Sequence, residues 1–252
     1  MTRQSLRETT ENGVRTLVFD RPEARNAFDA QQYRLLRDAL DRAADDDSVK
    51  VVILTGAGEA FTAGQDLAEM ALPAAGASGG EHPFGACLDR VIGFDKPLLA
   101  AVNGVGVGLG LTLLLHCDIV YIARGARLRV PFVSLGVVPE AASSYLLPLR
   151  VGQQAAAEIL FTADWVDSAR AVEIGLAARE LAPEQLLPEL GRLAARIAQH
   201  PIGSLRHTKR LVRACDVDAI RAARAREDEA FRERIGSPEN VAAIKAFFAK
   251  RR

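Results

Sequence analysis

Apolar positions in the first half of the chain fall in short, unbroken runs. Residues 16–19, 51–55, 98–102 and 119–123 are rich in β-branched side chains and show no polar alternation. Such runs predict strands covered on both faces. Between the first two lies FDAQQYRLLRDALDRAADD, where Phe28, Leu35, Leu36 and Leu40 mark one helical face and Asp29 stands as N-cap. A further helix is expected after the glycines that follow Asn103. Strand–helix alternation predicts an α/β fold. Residues 73–83, PAAGASGGEHP, read as a long loop of the kind that often covers a binding site.

The second half has a different period. Beyond residue 151 no more strands are expected. Residues 183–200 read as one helix, with Leu186, Leu187, Leu190, Leu193, Ala194 and Ile197 on one face and Pro201 as its stop. Residues 202–252 predict two or three amphipathic helices, whose apolar stripes must pack on their own core or on another subunit. A boundary near residue 200 separates the two parts.

Composition narrows the picture. A chain of 252 residues suits one large domain or one domain plus an appendage, and 49% apolar residues can fill a core without staples. Lys+Arg and Asp+Glu both number 32, which argues against a general nucleic-acid binder. Cys87, Cys117 and Cys215 have neither metal nor CxxC spacing, which fits a reducing compartment. The polar N-terminus has no apolar signal segment, and the apolar stretch 102–115 is broken by Asn103 and four glycines. A soluble, cytoplasmic protein is expected.

Two turns carry candidate chemistry. EAFTAGQDL, residues 59–67, follows the strand KVVILTGAG and can expose backbone N–H groups; equally, it can be an ordinary connection capped by Asp66. AAVNGVGVGLGLTLLLHCDIVY, residues 100–121, places glycines at 104, 106, 108 and 110. A dinucleotide fingerprint would need glycine at 109 or 111, and both are leucine. Alternating glycines allow close backbone approach at a helix start, or simple helix-on-strand packing. Two N–H donors converging from two such turns would make an oxyanion hole.

AVNG with its spaced glycines and CDI, together with FTAGQDL, DRPEARNAF at 20–28 and AVEIGLA at 171–177, resembles the crotonase superfamily of enoyl-CoA hydratases and isomerases. The resemblance runs from about residue 14 to the C-terminus. It implies a spiral of ββα turns over residues 1–200 and C-terminal helices, 201–252, that form a homotrimer or dimer of trimers and close the coenzyme A site. It also implies an acyl-CoA thioester substrate, with no metal and no cofactor beyond that coenzyme A. By position the thioester oxygen would lie between the backbone N–H groups of Gln65, after Ala63 and Gly64, and Leu109, after Gly108. The family usually has glycine at the second site, so the Leu109 side chain must point away or narrow the pocket. Coenzyme A contacts would map to Ala24, Arg25, Ala63, Asp66 and Leu67, and those of the nucleotide end to Phe247 and Lys250.

The departures bear on the reaction. Hydratases of the family use two glutamates; Thr112 and Phe132 stand in their places here, and neither is a base. Family members that move a double bond from C3 to C2 carry a single glutamate later in the chain. Glu140, in GVVPEAASS, resembles it, with Phe132 as an apolar wall and a pKa raised by burial. The expected activity is therefore Δ3,Δ2-enoyl-CoA isomerisation. Glu140 can also be read as an acidic residue at the start of the next helix. Asp66 reads as a turn-former, His116 and Cys117 as core, and His82 as a solvent-facing residue within reach of the pocket. The alternatives are a 2-enoyl-CoA hydratase with an atypical base, a non-catalytic acyl-CoA binder, or an RNA binder using the basic segment 206–226. In that last case REDEAFRERI just beyond balances the charge.

Overall fold

The computed structural model describes residues 5–70 and 82–249. The expected cover loop, apart from His82 and Pro83, and Lys250 lie outside the described residues.

The four apolar runs are strands β2 (Val14–Phe19), β3 (Val51–Gly56), β5 (Leu98–Val102) and β7 (Ile119–Ala123), the inner strands of a six-stranded sheet ordered β1-β2-β3-β5-β7-β10. All pairings among them are parallel. Every residue of β5 is buried, as are the first five of β3, which is why their sequences do not alternate. The edge strand β1 (Leu6–Glu11) was not anticipated. Its outer residues are exposed, so its sequence, LRETTE, is polar. The readable signal was the turn: Asn12 and Gly13 have φ of 51° and 78° and join β1 to β2 as a two-residue hairpin.

A second sheet, ordered β4-β6-β8-β9, is built from short pieces: β4 (Ala60–Thr62), β6 (Val105–Val107), β8 (Arg127–Arg129) and β9 (Val166–Asp167). With β10 (Arg179–Leu181), β9 corrects the expectation that strands end at residue 151. Pieces of two or three residues are too short to show a period; tertiary pairing alone defines them.

Helix α1 (Ala30–Asp45) has Asp29 as its N-cap, accepting from the Gln32 N–H at 2.7 Å. Its buried face carries Tyr33, Leu36, Ala39, Leu40 and Ala43, while Phe28 lies just before it, bridged to Gln65. The C-terminal end of α1 is closed by Lys96, fully buried, whose Nζ donates to the carbonyls of Ala43, Asp46 and Val49. Short helices α2 (Leu67–Met70), α3 (Phe84–Gly93) and α4 (Leu109–Thr112) follow, then α5 (Ser143–Val151), α6 (Gln153–Thr162) and α7 (Ser168–Glu173).

Helix α8 (Pro183–Ala198) covers the large sheet with Leu186, Leu190, Ala194 and Ala198 buried; Leu187, expected on that face, is 41% exposed. Three helices complete the chain: α9 (Ile202–Arg213), α10 (Val217–Arg234) and α11 (Pro238–Ala249). They are not a detached tail. Lys209 of α9 is buried and bonds the Lys96 carbonyl and Asp118, both at 2.8 Å, and Asn240 of α11 donates to the Leu135 carbonyl at 2.7 Å. Among the described residues no helix is long and apolar enough to cross a membrane.

Candidate active site

The segment DRPEARNAF turns sharply after β2. Arg25 and Asn26 are both left-handed, with φ of 52° and 57°. Buried Asn26 makes this tenable by bonding Ala57 and Ala60 through Nδ2 and the Arg21 N–H through Oδ1. The result sets Ala24 and Arg25 beside the FTAGQDL turn, where the Ala63 N–H donates to the Arg25 carbonyl at 2.9 Å. The Arg25 side chain is exposed, and Ala63 is half-buried. Asp66 forms ion pairing with Arg21 at 3.4 Å, and its carbonyl accepts from the Glu69 N–H, a turn-forming role. Leu67 opens α2 and is half-buried.

Gln65 stands at the centre of this turn. Phe28 donates to the Gly64 carbonyl and accepts from the Asp66 N–H, each at 2.8 Å. In that parallel bridge the Gln65 N–H itself faces away from Phe28. Gly64 lies hard against the glycine motif: a Cβ on it would sit 2.3 Å from the Val107 carbonyl oxygen and 3.3 Å from the Leu109 nitrogen. Leu109 is the first residue of α4, where an N–H has no partner within the helix. Gly108 precedes it with φ 55° and ψ −113°, a conformation that suits glycine. Neither the Gln65 nor the Leu109 N–H has an acceptor among the described residues. Two free donors of adjoining turns can together hold a developing negative oxygen. The Leu109 side chain is buried in the core, away from solvent. Gly110 serves packing: a Cβ there would meet the Thr62 carbonyl at 2.6 Å.

Glu140 precedes α5, and its side chain does not serve the start of that helix. Thr112, at the end of α4, donates from Oγ1 to Glu140 Oε1 at 2.5 Å. The residue is half-buried as a whole, yet its Oε2 is buried and has no hydrogen-bond partner among the described residues. Burial pushes its pKa up to about 7; the Thr112 bond opposes the shift and the negative charge of Glu227 adds to it. A carboxyl with a pKa near neutrality can both take and return a proton. Phe132, buried, lies in the same connection, its carbonyl accepting from the Val137 N–H.

The residues after Glu140 are strained. Ala141 and Ala142 are both left-handed, with φ of 59° and 57°, a conformation costing non-glycine residues about 1 kcal/mol or more each. Three anchors hold it: Ser143 Oγ donates to the Glu140 carbonyl, His116 Nε2 lies 2.8 Å from the Ala141 carbonyl, and Glu227 accepts from the N–H groups of Ala142 and Ser144. The acidic group at the start of α5 is thus Glu227, 85 residues away, and not Glu140. His116 and Cys117 are buried, as expected.

Tyr33 was not anticipated. Its hydroxyl donates to Gln65 Oε1 at 2.8 Å, and its ring packs edge-on against His82 and Phe84. Burial, then the Glu140 carboxylate, pushes its phenol up, and its hydroxyl ties α1 to the donor turn. Its position on the apolar face of α1 made it look like core alone. His82 itself is exposed. Phe247 of α11 is half-buried and stacked edge-on with Phe248 at 5.6 Å. Its helix reaches the Phe132–Val137 connection through Asn240 and Leu135.

Removing the Thr112 hydroxyl should therefore change the titration of Glu140. In Thr112→Val the bond that favours the charged form is lost, so the Glu140 pKa should rise further and the acidic limb of any Glu140-dependent activity should move to higher pH. A rate–pH profile unchanged from wild type would show that the bond has no bearing on the carboxyl.

This geometry has counterparts. The family model described as "Enoyl-CoA hydratase/isomerase" matches residues 9–252. Enoyl-CoA delta isomerase 2 of Rattus norvegicus is 32% identical over 96% of this chain, which spans 63% of that protein. The 2,3-dehydroadipyl-CoA hydratase of Escherichia coli K12 is 31% identical over 94% of this chain and 93% of its own. A solved structure of an enoyl-CoA hydratase/isomerase from Pseudoalteromonas atlantica T6c superposes with a TM-score of 0.94 at 37% identity, covering 98% of both chains. The parallel sheet of this chain with its covering helices is thus a crotonase fold, and the chain belongs to the enoyl-CoA hydratase/isomerase family.

Proposed function

We propose that the protein is a Δ3,Δ2-enoyl-CoA isomerase that uses Glu140 as its single acid and base. The observation that carries the reading is the Glu140 carboxyl: one oxygen held by Thr112, the other buried and without a partner among the described residues, with a pKa of about 7. Relatives named as isomerases and as hydratases match this chain about equally well, so the side chains must decide.

In this mechanism Oε2 takes a proton from C2 of a 3-enoyl thioester. The C–H electron pair forms the enolate, whose oxygen lies between the N–H groups of Gln65 and Leu109. The electrons then shift so that C4 accepts the same proton from Glu140, leaving the double bond between C2 and C3. No water enters and no second carboxylate is needed. Phe132 is the apolar wall beside the dienolate. Ala24, Arg25, Ala63 and Leu67 contact the adenine and pantetheine, Gly64, Asp66 and Gly108 also line the substrate site, and Phe247 and Lys250 contact the nucleotide end. The subunits form a trimer or a dimer of trimers, which would bury the exposed Leu211 and Val212 of α9.

The test supplies purified protein with 3-hexenoyl-CoA and, separately, with crotonyl-CoA. Appearance of the conjugated thioester from the first, without hydration of the second, supports the isomerase. Rapid hydration of crotonyl-CoA overturns it and favours a hydratase with another base. No turnover of either, with retained thioester binding, favours a non-catalytic binder.

A further inference from the structure

We propose that Glu227, on the C-terminal helix α10, is a positioning residue for Glu140, clamping the left-handed turn that aims its carboxyl at Thr112 and the substrate. The inference rests on the reading of Glu140 as the acid and base. Glu227 stands in the run REDEAFRERI, which looks like a solvated, charged surface. In the fold it is 5% exposed. It shares the buried face of α10 with Ile220 and Ala223, where an apolar side chain would continue the stripe. A carboxylate kept there needs a purpose that packing does not supply.

Its two oxygens are committed to one short segment. Oε2 accepts from the Ala142 N–H at 2.7 Å and Oε1 from the Ser144 N–H at 2.8 Å. From the opposite side His116 meets the Ala141 carbonyl, and burial pushes that imidazole down to about 3, so the neutral ring donates through Nε2. The two strained alanines thus sit between an acceptor on α10 and a donor from the glycine motif. Glu140 is the residue immediately before them. If the Glu227 jaw opens, the alanines can leave the left-handed region, and the backbone of Glu140 turns with them. A displacement of about 1 Å at a reacting group can cost a factor of roughly a hundred. Glu227 touches no reacting atom in this scheme; it acts through Glu140. The consequence is that the last helices of the chain hold the active-site turn of their own subunit.

The experiment compares wild type, Glu140→Gln, Glu227→Gln and the double variant, well below their melting temperatures. In Glu227→Gln, kcat should fall about 10- to 100-fold with KM within about twofold. Amide exchange at Ala142 and Ser144 should speed up. Adding Glu227→Gln to Glu140→Gln should cost no further activity. An unchanged kcat with only a lowered melting temperature overturns the inference, because Glu227 then merely docks α10. Unchanged amide exchange overturns the clamp without reference to turnover. Absence of isomerisation in wild type instead strikes the reading of Glu140, and removes the positioning role with it even where the exchange result stands. Should Glu227→Gln fail to fold, the other jaw serves. His116→Leu should lose kcat, and His116→Gln, which keeps an N–H near the Nε2 position, should recover part of it; equal losses overturn the proposal.

Discussion

Glu140→Gln should lower isomerisation by about 10³- to 10⁴-fold while leaving thioester binding nearly intact. The amide keeps the shape of the carboxyl and an oxygen for Thr112 to donate to, but it cannot take a proton. In wild type, kcat/KM should rise with pH through about 7, because the free enzyme must hold Glu140 ionised to act as base. A variant that retains more than a tenth of wild-type activity, or a wild-type profile flat from about pH 5 to 9, would place the base elsewhere.

The same substitution should stabilise the fold, and only above acidic pH. The Glu140 pKa is raised from 4.5 to about 7 in the folded protein. Between those values the native state holds a proton that the unfolded chain has released, so stability falls as pH rises through this window. The loss is about 3 kcal/mol once both values are passed. Glutamine has no such penalty. Urea unfolding should find Glu140→Gln more stable than wild type at pH 8 and close to it at pH 4. Equal stability at pH 8 would mean that the carboxyl is better solvated than its buried Oε2 indicates. A carboxyl that destabilises its own fold is what a base tuned to neutrality would cost under the proposed mechanism.

Gly64→Ala is the second substitution with a large expected effect. The new methyl would stand 2.3 Å from the Val107 carbonyl oxygen, and backbone cannot give way as a side-chain tip can. With φ at 79°, alanine is strained there even without the contact. Together these should cost about 3 kcal/mol or more of stability. Any protein that does fold must part the FTAGQDL turn from the glycine motif, and the two N–H donors with it. Activity should then fall more steeply than the folded fraction, as read by turnover normalised to unfolding-curve amplitude. A variant within about 1 kcal/mol of wild type and fully active would show that the two turns do not approach so closely.

The inner strands were legible because each is a property of its own residues. Val51, Val52, Ile53 and Leu54 are a short, mostly β-branched run that favours a buried strand, and β5 and β7 begin and end where their apolar runs do. Asp29 was legible as a cap because a cap is a contact over three residues. The motifs around Gly64 and Gly108 made the family resemblance readable, and with it the pair of backbone donors and Glu140. The Asn12–Gly13 turn is a local hairpin signal, but β1 lacks the apolar face that normally marks a strand.

What stayed hidden was decided by partners distant in sequence. Nothing local shows that Lys96 closes α1 or that the Glu140 side chain turns to Thr112, 28 residues before it. A charge in a polar run looks solvated until another element covers it, as α5 covers Glu227. The chain alone thus determined where backbone is apolar, capped or free to turn, because those preferences are local. Only the tertiary structure decided which carboxylate caps a helix and which turns instead to a threonine hydroxyl, because that choice depends on which donors the fold brings within 3 Å of each.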